Sequence, residues 1–158
     1  LLKLAAMICC GLITYQDVTQ RHVLWVLFPL VGIFLCIVYF LHASSILFLL
    51  HVLLNTLLVS AILLVLYLYT SGVRKKAFLN TSLGLGDILF FYALGLAFPT
   101  ITFIILFACS LFFSLITFLM LKKGLKWSTV PLAGLQSVFL ILVLAYSLFF
   151  NTPNLYLL

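Results

Sequence analysis

Glutamate is missing from this sequence altogether, and aspartate occurs only twice, at Asp17 and Asp87. Charge of either sign is scarce: 6% of the 158 residues are Asp, Glu, Lys or Arg, against 67% that are hydrophobic. With a mean hydropathy of +1.44, the chain lies far from the roughly half-apolar usage of soluble domains, which excludes a soluble globular protein. A disordered chain, a collagen or a disulfide-stapled secreted scaffold is excluded as well, since each needs a polar, glycine-periodic or cysteine-dense composition. The four cysteines, Cys9, Cys10, Cys36 and Cys109, lie in apolar runs with no C-x-x-C spacing, and read as small core hydrophobes. His22, His42 and His51 fall on different segments and form no i, i+4 pair, so neither a metal nor any other cofactor is expected. No G-x-S-x-G nucleophile elbow is present, which removes that serine chemistry. Any reaction that needs carboxylates must use the two aspartates.

What is present is a succession of long apolar runs. A spanning helix takes about 20 apolar residues, at 1.5 Å of rise each across a hydrocarbon core of about 30 Å. On that ruler the chain divides into six spans, Leu1 to Tyr15, Val23 to Leu41, Ser45 to Tyr69, Leu83 to Phe98, Ile101 to Leu121 and Val130 to Phe150. The stretch from Ile88 to Leu121 would be about 51 Å long as one helix, so it breaks at Pro99-Thr100. Residues 1 to 15 are read as a span rather than a secretory signal peptide, because Lys3 is a weak basic region and no A-x-A site follows. The expected fold is an all-α membrane protein, a single polytopic bundle of six transmembrane helices over residues 1–158.

The net charge of +6 would suggest a nucleic-acid partner in a soluble chain, but here the basic residues belong to loops. Arg21, then Arg74, Lys75 and Lys76, then Lys122, Lys123 and Lys126 fall between alternate pairs of spans, with Lys3 alone on the other side. Cytoplasmic loops keep the excess of Lys and Arg, which places both termini outside. Trp25 and Trp127 then reach the cytoplasmic boundary, where indoles prefer to sit. The partner is the lipid bilayer, and no nucleic acid is expected.

In that orientation Asp17 ends span one and Asp87 begins span four, both on the cytoplasmic side. An ionisable group at the bilayer centre costs on the order of 2.5–3.5 kcal/mol, less toward the interface, so each acid asks for a reason. Asp17, within Thr14-Tyr15-Gln16-Asp17-Val18-Thr19-Gln20-Arg21-His22, also reads as a solvated helix end. Asp87 follows Gly84-Leu85-Gly86 and precedes an apolar run. Glycines at alternate positions leave one backbone face bare, so that an extended chain can approach beside the acid. Gly84, Leu85 and Gly86 are therefore candidate substrate-binding residues, and Asp17 and Asp87 the candidate catalytic pair. Two facing carboxylates share one proton: one takes a proton from water as it attacks a peptide carbonyl, and the other donates to the carbonyl oxygen. Asp87 at a helix N-terminus is expected to be the anion and Asp17 at a helix C-terminus the acid.

These residues resemble a known family. Gly84-Leu85-Gly86-Asp87 is similar to the G-x-G-D motif of intramembrane aspartyl proteases. Asp17 with Val18-Thr19-Gln20-Arg21-His22-Val23 resembles the first-acid stretch of type IV prepilin and preflagellin peptidases, in which a basic residue and I-P-N follow the acid. Val130-Pro131-Leu132-Ala133-Gly134 stands where that family's last helix opens, and the likeness covers essentially the whole chain. The resemblance implies catalysis by Asp17 and Asp87 at the cytoplasmic face, on pilin-like precursors whose short basic leader is cut ahead of a hydrophobic helix. Presenilin-like proteases share G-x-G-D but have about nine spans and a P-A-L motif, where this chain reads Pro131-Leu132-Ala133.

The departures carry information. Leu24 and Trp25 replace the family's frequent Pro-Asn, and Leu89 stands where a Lys often follows G-x-G-D. The cysteine-rich insertion that accompanies methyltransferase activity in many bacterial members is missing, so cleavage without N-methylation is expected. The non-enzymatic alternative is a transporter subunit or assembly scaffold with Asp87 as a proton relay. Transport sites favour broken helices near the midplane and internal repeats, and no repeat is seen here. The loop Arg74 to Ser82, with turn-forming Asn80, Thr81 and Ser82, is expected to move and admit an extended substrate. His51 and Asn55 share a helical face at mid-span and are expected to make packing hydrogen bonds between helices.

Overall fold

The structure is a computed structural model that describes residues 1–20, 22–73, 84–125, 130–150 and 155–156. Regular structure among them is entirely helical: α1 (Leu2–Thr19), α2 (Leu27–Phe40), α3 (Ser45–Leu68, prolonged by a π-helical turn over Tyr69–Val73), α4 (Leu85–Ala97), α5 (Thr100–Leu125) and α6 (Leu132–Phe150). Each of the six expected spans overlaps one of these helices, and the boundaries that shift do so for local reasons. α1 continues past Tyr15 to Thr19, which takes Asp17 into its last turn. α2 starts at Leu27 rather than Val23, because the Leu24 N–H is donated to the Gln16 side chain of α1 at 2.9 Å. Pro29 then sits in the first turn of α2, where its missing N–H leaves no helical bond unmade. α4 stops at Ala97 because Phe98, held by the following Pro99, is extended at φ −143° and ψ 156°. Pro99 and Pro131 each stand just ahead of a helix, and their carbonyls accept the N–H of Phe103 at 2.8 Å and of Leu135 at 3.0 Å.

Among the described residues three stretches are long and apolar enough to cross a membrane, Ser45–Gly72, Thr100–Leu121 and Leu132–Phe150. The expected spans two and four are shorter as helices, with 14 residues in α2 and 13 in α4. At 1.5 Å per residue those reach about 21 and 20 Å, short of a hydrocarbon core of about 30 Å. The surface is inverted relative to a soluble protein. Ile46 is 83% exposed, Met120 77% and Phe149 85%, each on one of the three long helices, as suits contact with lipid. The interior is one cluster built from Ala6, Cys10 and Ile13 of α1, Phe28, Val31 and Leu35 of α2, Phe90 and Leu94 of α4, Phe103 of α5 and Leu140 and Leu144 of α6. Cys10 behaves there as the small hydrophobe expected of it, and all four cysteines are free thiols.

Pairwise contacts fix the helix directions. α1 runs antiparallel to α6, since Asp17 meets Gly134 at one end while Lys3 Nζ donates to Ser147 at 3.1 Å at the other. α2 runs parallel to α4, with Phe28 beside Gly86 and Gly32 beside Ala93, small residues that let the backbones approach. α3 lies antiparallel to α4, with Ser60 against Tyr92 and Asn55 against Gly95. The end away from the aspartates is closed by aromatic rings. Tyr156 stacks on Tyr39, His42 and Phe98, Lys3 lies over its ring, and Leu155 is buried in the core.

The His51–Asn55 face does make the expected interhelical bonds. His51 pairs with the Tyr39 hydroxyl of α2. Asn55 Nδ2 donates to the carbonyls of Gly95 at 2.8 Å and Phe98 at 2.9 Å. The Gly95 carbonyl needs this donor, because the residue four ahead is Pro99 and has no N–H to give. Asn55→Leu keeps the branching of the side chain and strands both carbonyls in the interior, at about 1–3 kcal/mol for each buried group left unpaired. The detergent-solubilised variant is expected to melt several degrees below the wild type in a thermal scan.

Candidate active site

The two acids are aimed by the helices that carry them. On α1 the buried residues Ala6, Cys10 and Ile13 recur at helical spacing, and Asp17 continues the same stripe one turn further on. On α4 Asp87 shares a face with the buried Phe90, Phe91 and Leu94. Both side chains therefore turn into the bundle rather than away from it, at the end where α1 finishes and α4 begins, and both are half-buried.

The first turn of α6 enters between them. Gly134 N–H donates to Asp17 Oδ2 at 2.7 Å. Asp87 lies near the preceding residue, Ala133, and close enough to Asp17 for the two charges to act on one another. The first turn of α6 thus lies beside the only two aspartates in the chain, with its Gly134 N–H bonded to one of them. A helix N-terminus is suited to this, because its first N–H groups have no partner inside the helix and carry the positive end of its dipole. Asp87 has a second donor in the Gly84 N–H, at 3.1 Å from Oδ2, the reach of a third-position acid back to the residue that opens its own helix. Comparison with protein-family models, curated proteins and solved structures returned no match. Function must be read from this constellation alone.

The glycines of the G-x-G-D stretch serve the chain's own packing. Gly84 opens α4 in an extended conformation, and a Cβ on it would come within 3.2 Å of Asp87 Oδ2. Leu85 and Gly86 are already helical, which corrects the expectation of a bare extended face across all three residues. The room left by Gly86 is taken by the Phe28 ring, 3.0 Å from where a Cβ would lie. Leu85, two residues before Asp87, is 52% exposed. The acid–base asymmetry expected from the two parent helices is lost as well, since Asp17 ends α1 but lies against the N-terminus of α6. Both carboxylates face helix N-termini, and neither is singled out as the acid.

Among the described residues no group of three or more His, Cys, Asp or Glu side chains converges as a metal site would require. Arg21, the loop Arg74 to Ser82, Lys126 and Trp127 lie outside the described residues, as does the greater part of the tail from Asn151 to Leu158. Sequence reasoning assigns Val130–Gly134 no role beyond opening the last helix and passes over Phe28 entirely. The usable signal is a pair of small residues, Ala133 and Gly134, directly after a proline: the proline starts a helix, and the small residues let that helix reach two side chains.

Proposed function

We propose that this protein is a membrane-embedded aspartic endopeptidase that removes the short basic leader of prepilin-like precursors. The observation that carries the reading is the convergence of Asp17 and Asp87 at the first turn of α6, where Asp17 accepts the Gly134 N–H. In this reading all six helices cross the cytoplasmic membrane, with both termini outside and the dyad at the cytoplasmic face. The short helices α2 and α4 complete their crossings with the segments that flank them. Leader removal releases a subunit whose hydrophobic helix can join a pilus, a pseudopilus or a related filament.

The chemistry uses the dyad and water. With one proton shared between two carboxylates, the ionised member accepts a proton from water while the water oxygen attacks the scissile carbonyl. The protonated member donates to the carbonyl oxygen, giving a neutral tetrahedral diol. Collapse of the diol breaks the C–N bond as the protonated carboxyl gives its proton to the departing amine and the ionised one takes a proton from a diol hydroxyl, so the dyad again holds a single proton. The products are a leader carboxylate and a new N-terminal amine, with one water consumed and no cofactor required. The Gly84 and Gly134 amides hold the carboxylates in place throughout, and the exposed Leu85 is where the substrate meets the Gly84–Gly86 stretch.

The test is co-expression with a precursor that carries a Lys-rich leader, a Gly and an apolar helix, followed by gel electrophoresis and mass spectrometry of the product. Cleavage at the Gly that is lost in both Asp→Asn variants is the expected result. Cleavage unaffected by either substitution would favour the transporter or scaffold alternative. Purified protein given the same precursor and S-adenosylmethionine is expected to leave the new N-terminus unmethylated, and a mass increase of one methyl group would refute that part of the reading.

A further inference from the structure

Thr14 stands one turn before Asp17 on α1, on the same face of the helix. Its hydroxyl lies 2.9 Å from the Cys10 carbonyl of its own helix and 3.2 Å from the Gly134 carbonyl of α6. The first contact is common for a helical threonine, and Thr56 and Ser60 on α3 make the same kind. The second is not intrahelical. It falls on the residue whose N–H is already bonded to Asp17. One turn of α1 therefore engages both polar ends of a single residue, Asp17 accepting the N–H and Thr14 sharing its one hydroxyl proton between the Gly134 and Cys10 carbonyls.

That grip has a geometric consequence. Along a helix the N–H and C=O of one residue point in opposite axial directions, and α1 and α6 run antiparallel. A single bond at the N–H leaves the first turn of α6 free to slide and roll against Asp17, whereas two bonds about one turn apart define both register and rotation. Asp87 lies near that same turn and near Asp17, so the placement that sets Asp17 also sets how the two carboxylates meet. A shift of one residue along α6 would move this turn by about 1.5 Å, and errors of about 1 Å in catalytic geometry can cost two orders of magnitude in rate.

We propose that Thr14 is a positioning residue for the dyad, acting through the Gly134 carbonyl without touching the substrate. This rests on the peptidase reading above. The test compares Thr14→Val, which keeps the shape and loses the donor, with Thr14→Ser, which keeps the donor. Both are assayed per folded molecule in detergent on the Lys-rich-leader precursor, beside the wild type, Asp17→Asn, Asp87→Asn and a Thr56→Val control that loses only an intrahelical bond. The expected result is a five- to tenfold lower kcat for Thr14→Val with KM within twofold, a displaced pH–rate profile, and Thr14→Ser and Thr56→Val within twofold of wild type in both constants. A Thr14→Val enzyme with wild-type kcat and pH profile, alongside silent Asp→Asn variants, would overturn the positioning role alone. So would an equal loss in Thr14→Ser, since the donor would then be irrelevant. A wild type that leaves the precursor uncut, or cuts it as well without either aspartate, would overturn the peptidase reading and this proposal together.

Discussion

Asp17→Asn and Asp87→Asn are each expected to slow leader removal by about 10³-fold or more, the scale at which a positioned acid or base contributes to catalysis. The substitution suits the geometry. An asparagine carbonyl oxygen can still accept the Gly134 N–H that Asp17 receives, or the Gly84 N–H that Asp87 receives, so the first turn of α6 and the start of α4 stay where they are. What disappears is the ability to exchange a proton with water. Thermal midpoints within a few degrees of wild type should therefore accompany the loss of cleavage. The double variant should be no slower than either single one, because the two groups act as a unit and losing one already disables the other. A single variant that keeps a tenth of wild-type activity would show that its aspartate does not exchange the essential proton.

The two-acid pair was legible in the sequence because everything around it is apolar. In a chain without glutamate, two aspartates separated by 70 positions (87 − 17) stand out against a background that gives ionisable groups no ordinary reason to be there. The six helices were legible for the same cause, since runs of Leu, Ile, Val and Phe broken by Pro99, by Pro131 and by short polar stretches leave few other partitions. The faces of those helices were not. Apolar residues surround each helix on every side, so no periodicity distinguishes the buried stripe of Ala6, Cys10 and Ile13 from the exposed Leu4, Ile8 and Leu12. Without that stripe nothing in the sequence shows that Asp17 looks inward. The lengths of α2 and α4 were overestimated because hydropathy counts Val23 to Val26 and Phe98 as helix, while the Gln16 bond to Leu24 and the restraint of Pro99 on Phe98 are contacts and conformations. Least visible was the role of α6, whose contribution to the site is made by backbone amides that no side-chain motif encodes.

That backbone contribution leads to the second large effect, at Gly134. A Cβ there would sit 3.0 Å from Asp17 Oδ2 and 3.1 Å from Asp17 Cβ. The first contact could be relieved by turning the carboxylate. The second could not, because Cβ is carried rigidly by the backbone of α1, so the two helices must separate. Two terms compete in the stability of Gly134→Ala. Replacing glycine by alanine in a helix gains about 0.8–1 kcal/mol, and forcing an extra methyl into a packed contact costs about 1–3 kcal/mol. The net loss is small, and the thermal midpoint should fall by only a few degrees. The rate is exposed to the displacement itself, which widens the gap between Asp17 and the amide that holds it and leaves Asp87 behind on α4. A fall in kcat of about 10–100-fold is expected, consistent with the cost of misplacing a catalytic group by a fraction of an ångström to one ångström. Cleavage of the Lys-rich-leader precursor under single-turnover conditions, set beside a thermal scan of the same preparation, measures both. Parallel losses in stability and rate would mean that Gly134 serves packing alone. A near-native melting curve with a collapsed rate would mark the α1–α6 contact as the element that sets the dyad's geometry.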